Sequence, residues 1–159
     1  MDDLDIGIAD PRTDDVRQLV ELHLRFGRSH CPPQDAHALE VDDLLDPAVS
    51  LFSIRCHGEL LAVGALKRLD GQHAELKTMH TVDHARGRGI GRTMLDHLVG
   101  VARERGFERV SLETGSMEAF SPARSLYASA GFAPCEPFGD YRPGPNNVYM
   151  TIGLRGEAR

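Results

Sequence analysis

Between Glu75 and Leu98 the chain reads E-L-K-T-M-H-T-V-D-H-A-R-G-R-G-I-G-R-T-M-L-D-H-L, a strand-like run that passes through a glycine-rich turn into a helical pattern. Gly87, Gly89 and Gly91 stand among Arg86, Arg88, Ile90 and Arg92. Glycine lets backbone N–H groups come close to a ligand, and a helix start attracts anions by about 0.3–1 kcal/mol per charge at a surface. With the fixed charge of the arginines, this stretch predicts a pocket for a phosphate-bearing cofactor. Spacing excludes two common versions of such a pocket. The nucleotide P-loop needs glycine, four residues, then Gly-Lys-Ser/Thr, a string the chain lacks. The dinucleotide fingerprint needs a third glycine where Arg92 stands.

Arg86-x-x-Gly89-x-Gly91 does fit the Q/R-x-x-G-x-G/A signature, and here the chain resembles the GNAT superfamily of acetyl-coenzyme A dependent N-acetyltransferases. The family's strand-to-helix junction, V-x-P-x-x-R-G-x-G-I-G, is matched in register by Thr81 to Gly91, with Thr81 for the usual valine and Asp83 for the usual proline. Asp83 sets a carboxylate near an anionic ligand. A second signature, a helix ending L-Y-x-x-x-G-F, is met by Leu126, Tyr127, Gly131 and Phe132. The texts Ser111 to Gly115 and Pro137 to Tyr141 also resemble a bacterial subgroup whose acceptors are poorly defined.

The resemblance implies acetyl transfer from acetyl-CoA to a primary amine of a small molecule, by direct attack in a ternary complex and without a metal. Such a transfer needs a neutral amine, donors for the polarised carbonyl, and a proton for the departing thiolate. The resemblance carries pyrophosphate contacts to Arg86, Gly87, Arg88, Gly89, Gly91 and Arg92, with Arg88 and Arg92 alternatively solvated, a further cofactor contact to Ile90, and contacts to the pantetheine and thioester to Met79, His80 and Thr81. Tyr127 falls where the family places the acid that protonates the coenzyme A sulfur; the other reading is a core aromatic that only orients the cofactor. Glu75, eleven residues before Arg86, falls where some members carry the general base, the other reading being a solvated edge-strand carboxylate. His80 and Glu113 are alternative bases, although strict alternation points His80 away from the Glu75 face. His30, His37 and Glu113 are candidate substrate contacts.

These side chains must be held by a simple element order. Leu4 to Ala9 alternates as a first strand, and Thr13 caps a helix to about Gly27 with Val16, Leu19, Val20 and Leu24 on one face. Asp35 to Leu45 reads as a second, short helix. Val49 to Cys56, Glu59 to Leu69 and Ala74 to Val82 form an antiparallel meander with hairpin turns at His57-Gly58 and Asp70-Gly71. A helix from Arg88 to Arg105 crosses to a parallel strand, Phe107 to Thr114. Ser121-Pro122 opens a helix to Ala130, and Phe132 to Phe138 and Val148 to Leu154 close the sheet, with Gly156 to Arg159 a frayed tail. The expectation is an α/β (α+β in some schemes) GNAT fold spanning residues 1–159 as one domain: a mostly antiparallel sheet of about six to seven strands, four flanking helices, and a splayed parallel pair holding the cofactor.

With 159 residues, of which 41% are hydrophobic, the chain suits a single core. A net charge of -6 and the absence of a long basic run argue against a nucleic-acid binder. The N-terminal text lacks a basic and an apolar region, and no apolar run reaches membrane-spanning length, so a cytoplasmic protein is expected, with Cys31, Cys56 and Cys135 as reduced thiols. A homodimer is the family analogy. Two rival functions stay open: a protein lysine or N-terminal acetyltransferase, and a non-catalytic coenzyme A-binding sensor.

Overall fold

A computed structural model describes residues 3–154. Its elements in chain order are β1 (Leu4–Ile8), α1 (Asp14–His30), β2 (Val49–Cys56), β3 (Glu59–Arg68), β4 (His73–Thr81), α2 (Ile90–Glu104), β5 (Arg109–Gly115), α3 (Ser121–Ser129), β6 (Ala133–Pro134) and β7 (Asn147–Gly153). The strands form one sheet in the order β1-β2-β3-β4-β5-β7-β6, antiparallel throughout except for the β4–β5 pair. That pair flanks the crossover helix α2, as the spacing of the two strands requires. His57 and Gly58 take positive φ in the β2–β3 turn, and Asp70 Oδ1 accepts the N–H groups of Gln72 and His73 in the next one.

Each face of the sheet has its own apolar cluster. On one face Ile90, Met94, Leu95 and Leu98 of α2 bury completely against Ala74, Leu76, Val110 and Leu112, each apolar side chain contributing about 1.5–3 kcal/mol. On the other, Val16, Leu19, Val20 and Leu24 of α1 cover Leu51, Val63 and Ala65. The heptad-like spacing of those α1 residues gives the helix one dry face and one wet one.

Four expectations need correction. Asp35 to Leu45 is not a helix but two 3-10 turns, Pro33–Asp35 and Val41–Leu45, so three α-helices flank the sheet among the described residues. The second turn starts at a reciprocal cap between Glu40 and Asp43 and has only five residues before Asp46-Pro47 stops it. α1 runs through Gly27 to His30, a glycine inside a helix costing only about 1 kcal/mol. α2 begins at Ile90 rather than Arg88, because Gly87 and Gly89 have φ of 77° and 82° and cannot be helical. β6 holds two residues, since Pro134 and Pro137 offer no N–H to a ladder. The expected tail, Gly156 to Arg159, lies outside the described residues.

Candidate active site

The ladder between β4 and β5 stops at Leu76 and Leu112, so the β5-facing edge of β4 has no strand partner from Lys77 onward. β5 meanwhile stays paired to β7 as far as Gly115. The two parallel strands therefore part, and a cavity of about 470 Å³ fills the opening. It is bounded by α1 on one side of the sheet and by the start of α2 and by α3 on the other.

Just past the parting point, β4 carries a bulge. Ala65 pairs with Lys77 and Val63 with His80, leaving Thr78 and Met79 opposite Gly64 alone. Thr78 takes φ of 57° to achieve this, an uncommon conformation for a β-branched residue, costing about 1–2 kcal/mol. Its side chain lines the cavity at 4% exposure, and Oγ1 has no hydrogen-bond partner. The extra residue inverts the alternation, so His80 stands on the same face as Glu75 and Lys77, facing α1, contrary to the strict-alternation expectation.

On that face His80 Nδ1 lies 3.0 Å from Nδ1 of His23 on α1. One nitrogen must donate and the other accept, so at least one of the two rings is neutral. Burial pushes His23 down to about 3, helped by His80 and Lys77, and pushes His80 down to about 4, helped by the Arg86 guanidinium. Glu75 does not line the cavity: Lys77 Nζ donates to its Oε2 at 3.0 Å and the Tyr141 hydroxyl at 2.5 Å, and the carboxylate is buried. Glu113 does line it, accepting a bond of 2.8 Å from Asn147 Nδ2. Burial raises its pKa above the usual carboxylate value.

Across the sheet, Tyr127 lies on α3, which Arg124 anchors by donating to the carbonyls of Gly115 and Met117. Gly115 has to be glycine, because a Cβ there would stand 2.3 Å from the Phe120 ring. Tyr127 lines the cavity at 9% exposure, and its hydroxyl makes no hydrogen bond to a described residue. Burial, and then the Glu113 charge, push its pKa up to about 12.

At the mouth, α2 starts from a left-handed Gly89 with no side chain capping its first N–H groups. The positions of Cβ atoms at Gly87 and Gly89 are open space. Arg86, Gly87, Gly89, Ile90, Gly91 and Arg92 line this end, as do Met79 and Thr81, whereas Arg88 does not and donates instead to the His84 carbonyl at 3.4 Å. Arg86 and Arg92 also pair with exposed Asp83 and Asp96, at 3.5 and 3.0 Å. Of the expected substrate contacts, His37 and Glu113 line the cavity, while His30 bonds the Phe26 carbonyl away from it.

This arrangement can hold an anion at the glycine turn and a narrow chain in the slot, with an acid and a carboxylate beside its inner end. Residues 14–132 match the sequence model of the Acetyltransferase (GNAT) family. The chain belongs to the GNAT family. This GNAT chain is 45% identical over 139 residues, 87% of its own length and 92% of the other's, to "Uncharacterized N-acetyltransferase YsnE" of Bacillus subtilis. To "Uncharacterized N-acetyltransferase YedL" of Escherichia coli it is 39% identical over 148 residues, 90% and 93% of the two chains. A crystal structure of a GNAT family acetyltransferase from Elizabethkingia anophelis with acetyl-CoA bound shares the fold, with a TM-score of 0.71 and 17% identity over 96% of this chain and 99% of that one. The protein is thus an acyltransferase of the GNAT fold. Among the described residues, no helix is long and apolar enough to cross a membrane.

His23, Lys77, Thr78 and Asp35 line the cavity without having been anticipated. Nothing local marks them. Their partners lie far off in sequence, or, for Thr78, the bulge has no signature of its own.

Proposed function

We propose that the protein transfers the acetyl group of acetyl-CoA to the primary amine of a small molecule, the amine attacking directly while both substrates are bound. The observation that carries this reading is the parting of β4 and β5 beside an uncapped, glycine-lined helix start. The residues fit the cofactor: open space at Gly87 and Gly89, arginines at the mouth, and an unpaired strand edge leading inward. The Elizabethkingia protein of the same fold holds acetyl-CoA, which supports the assignment.

Acetyl-CoA brings a thioester, whose carbonyl carbon accepts a nucleophile and whose sulfur leaves as a thiolate. Arg86, Arg92 and the backbone N–H groups from Gly87 to Gly91 hold the diphosphate, and the β4 edge from Lys77 to Thr81 supplies donors along the slot. Tyr127 holds its proton throughout the neutral range and offers it to a developing anion. Glu113 takes the proton lost by the amine, because its carboxylate faces the cavity whereas that of Glu75 is engaged by Lys77 and Tyr141. Glu75 then acts by fixing Lys77 in place.

A small acceptor is favoured over a protein by what covers the inner end. Asn146 and Asn147 donate to Asp35, and His37 packs edge-on against Tyr141 with centroids 5.0 Å apart, so the two loops are tied over the cavity.

Thermal shift against acetyl-CoA, coenzyme A and ATP tests the cofactor. Saturation at about 100 times Kd adds about 2.7 kcal/mol, or about 5–10 °C for a domain of this size. A shift with both coenzyme A forms and none with ATP is expected, and no shift at millimolar cofactor would sink the reading. A thiol-release screen over amines then separates an enzyme from a sensor.

A further inference from the structure

Lys77 is a cavity residue whose ammonium group has no stated ligand in the chemistry above. Its side chain is only 8% exposed, and the residue lines the cavity. Of its three N–H groups, one donates to Glu75 Oε2 at 3.0 Å and one to the Tyr141 hydroxyl oxygen at 2.7 Å, while that hydroxyl donates on to Glu75. No described residue takes the third. A buried ion pair seldom improves stability over an apolar pair of the same size, so stability alone does not account for this one. Beside it, Thr78 also lines the cavity, and its buried Oγ1 has no hydrogen-bond partner.

The charge of Lys77 acts on the same space as Glu113, whose ionisation it favours, and on His23, whose protonation it opposes. Besides Asp35, whose carboxylate accepts from Asn146, the inner wall presents the Glu113 carboxylate and the Lys77 ammonium donor together. Beyond them the wall is aromatic, with Phe26 and Phe120 edge to face at 5.4 Å. An amine acceptor without an anionic group would leave the third Lys77 donor and Thr78 unsatisfied. A zwitterion meets both.

We propose that the acceptor is a free α-amino acid with an apolar or aromatic side chain, its amine directed to Glu113 and its carboxylate held by Lys77 and Thr78. The inference rests on the acetyl transfer proposed above and names its substrate class.

Matched pairs test it: phenylalanine against phenethylamine and phenylalanine amide, and leucine against isoamylamine, each with acetyl-CoA and thiol release as the readout. The wild-type protein should favour the amino acid in kcat/KM by about a hundredfold or more, since a site built for a polar group rejects the analogue lacking it. Lys77→Gln should raise KM for the amino acid by at least about tenfold and erase the preference, while the thermal shift with coenzyme A persists. Equal or better use of the decarboxylated amines by the wild type overturns the proposal, as does a parallel loss for both members of a pair in Lys77→Gln, which would mark Lys77 as a strut. Should that variant not fold, the wild-type ratios decide alone. Thiol release with no amino acid, in a protein that coenzyme A does stabilise, refutes the amino acid class and leaves the cofactor assignment standing. Absence of any coenzyme A shift refutes the underlying reading.

Discussion

Tyr127 and Glu113 line one cavity from opposite sides of a gap in the sheet, and burial raises both of their pKa values. For the tyrosine this secures a proton to donate; for the glutamate it makes a better acceptor near neutrality. Tyr127→Phe is expected to lower kcat by about a hundredfold or more while the calorimetric affinity for coenzyme A stays put. Glu113→Gln should lower kcat comparably and remove the acid limb of the pH-rate profile. Its effect on stability has the opposite sign. A carboxyl whose folded pKa lies above its ordinary 4.5 stabilises the fold only while protonated, and loses that contribution as pH rises through the folded value. The variant should therefore melt higher than the wild type at pH 7, with the gap closing below about pH 4.5. Tyr127 was legible because it is one of four matching residues in the seven positions from Leu126 to Phe132. His23 and Lys77 were not, because their partners His80 and Tyr141 stand 57 and 64 residues away, and local spacing carries no information about such contacts.

At the level of elements, strand count, hairpins and the parallel crossover could be read from alternation, turn residues and helix length, and the structure has them in the expected order. The bulge could not. Period-two reading assumes an unbroken pleat, and threonine is among the residues least suited to φ of 57°, so nothing in the text signals it. The same holds for Asp35 to Leu45, whose first residue accepts bonds from Asn146 and Asn147, 111 and 112 residues away. Relieving the bulge should be measurable. Thr78→Gly removes a left-handed β-branched residue and an unsatisfied hydroxyl, worth about 1–3 kcal/mol, against about 0.5–1 kcal/mol for the added chain freedom. We expect chemical denaturation to show a net gain of about 1 kcal/mol. Gly89→Ala acts the other way, forcing a side chain to φ of 82°, and should cost about 1–2 kcal/mol and abolish the coenzyme A thermal shift.

Across the whole molecule, acid should be the vulnerable direction. His23 and His80 have folded pKa values of about 3 and about 4 against an ordinary 6.5, so the unfolded chain binds more protons than the folded one between these limits. Their contribution is complete above about pH 6.5 and is lost as pH falls towards about 4 for His80 and about 3 for His23. The melting temperature should start to drop below about pH 6.5, and a His23→Gln, His80→Gln double variant should flatten that limb. The same pair joins α1 to the bulged strand, so the helix that walls the inner end is tied to the sheet by a contact that protonation of both rings breaks. The gap between β4 and β5 has a wider consequence. Because residues from both sides of the sheet line the cavity, the proposed transfer has the α1 side meeting one partner and the α2 and α3 side another, with only the rim of the gap in common. Recognition of the two partners is then separable: descendants of such a protein can exchange their α1-side residues and acquire new acceptors, while the opposite half is inherited unchanged.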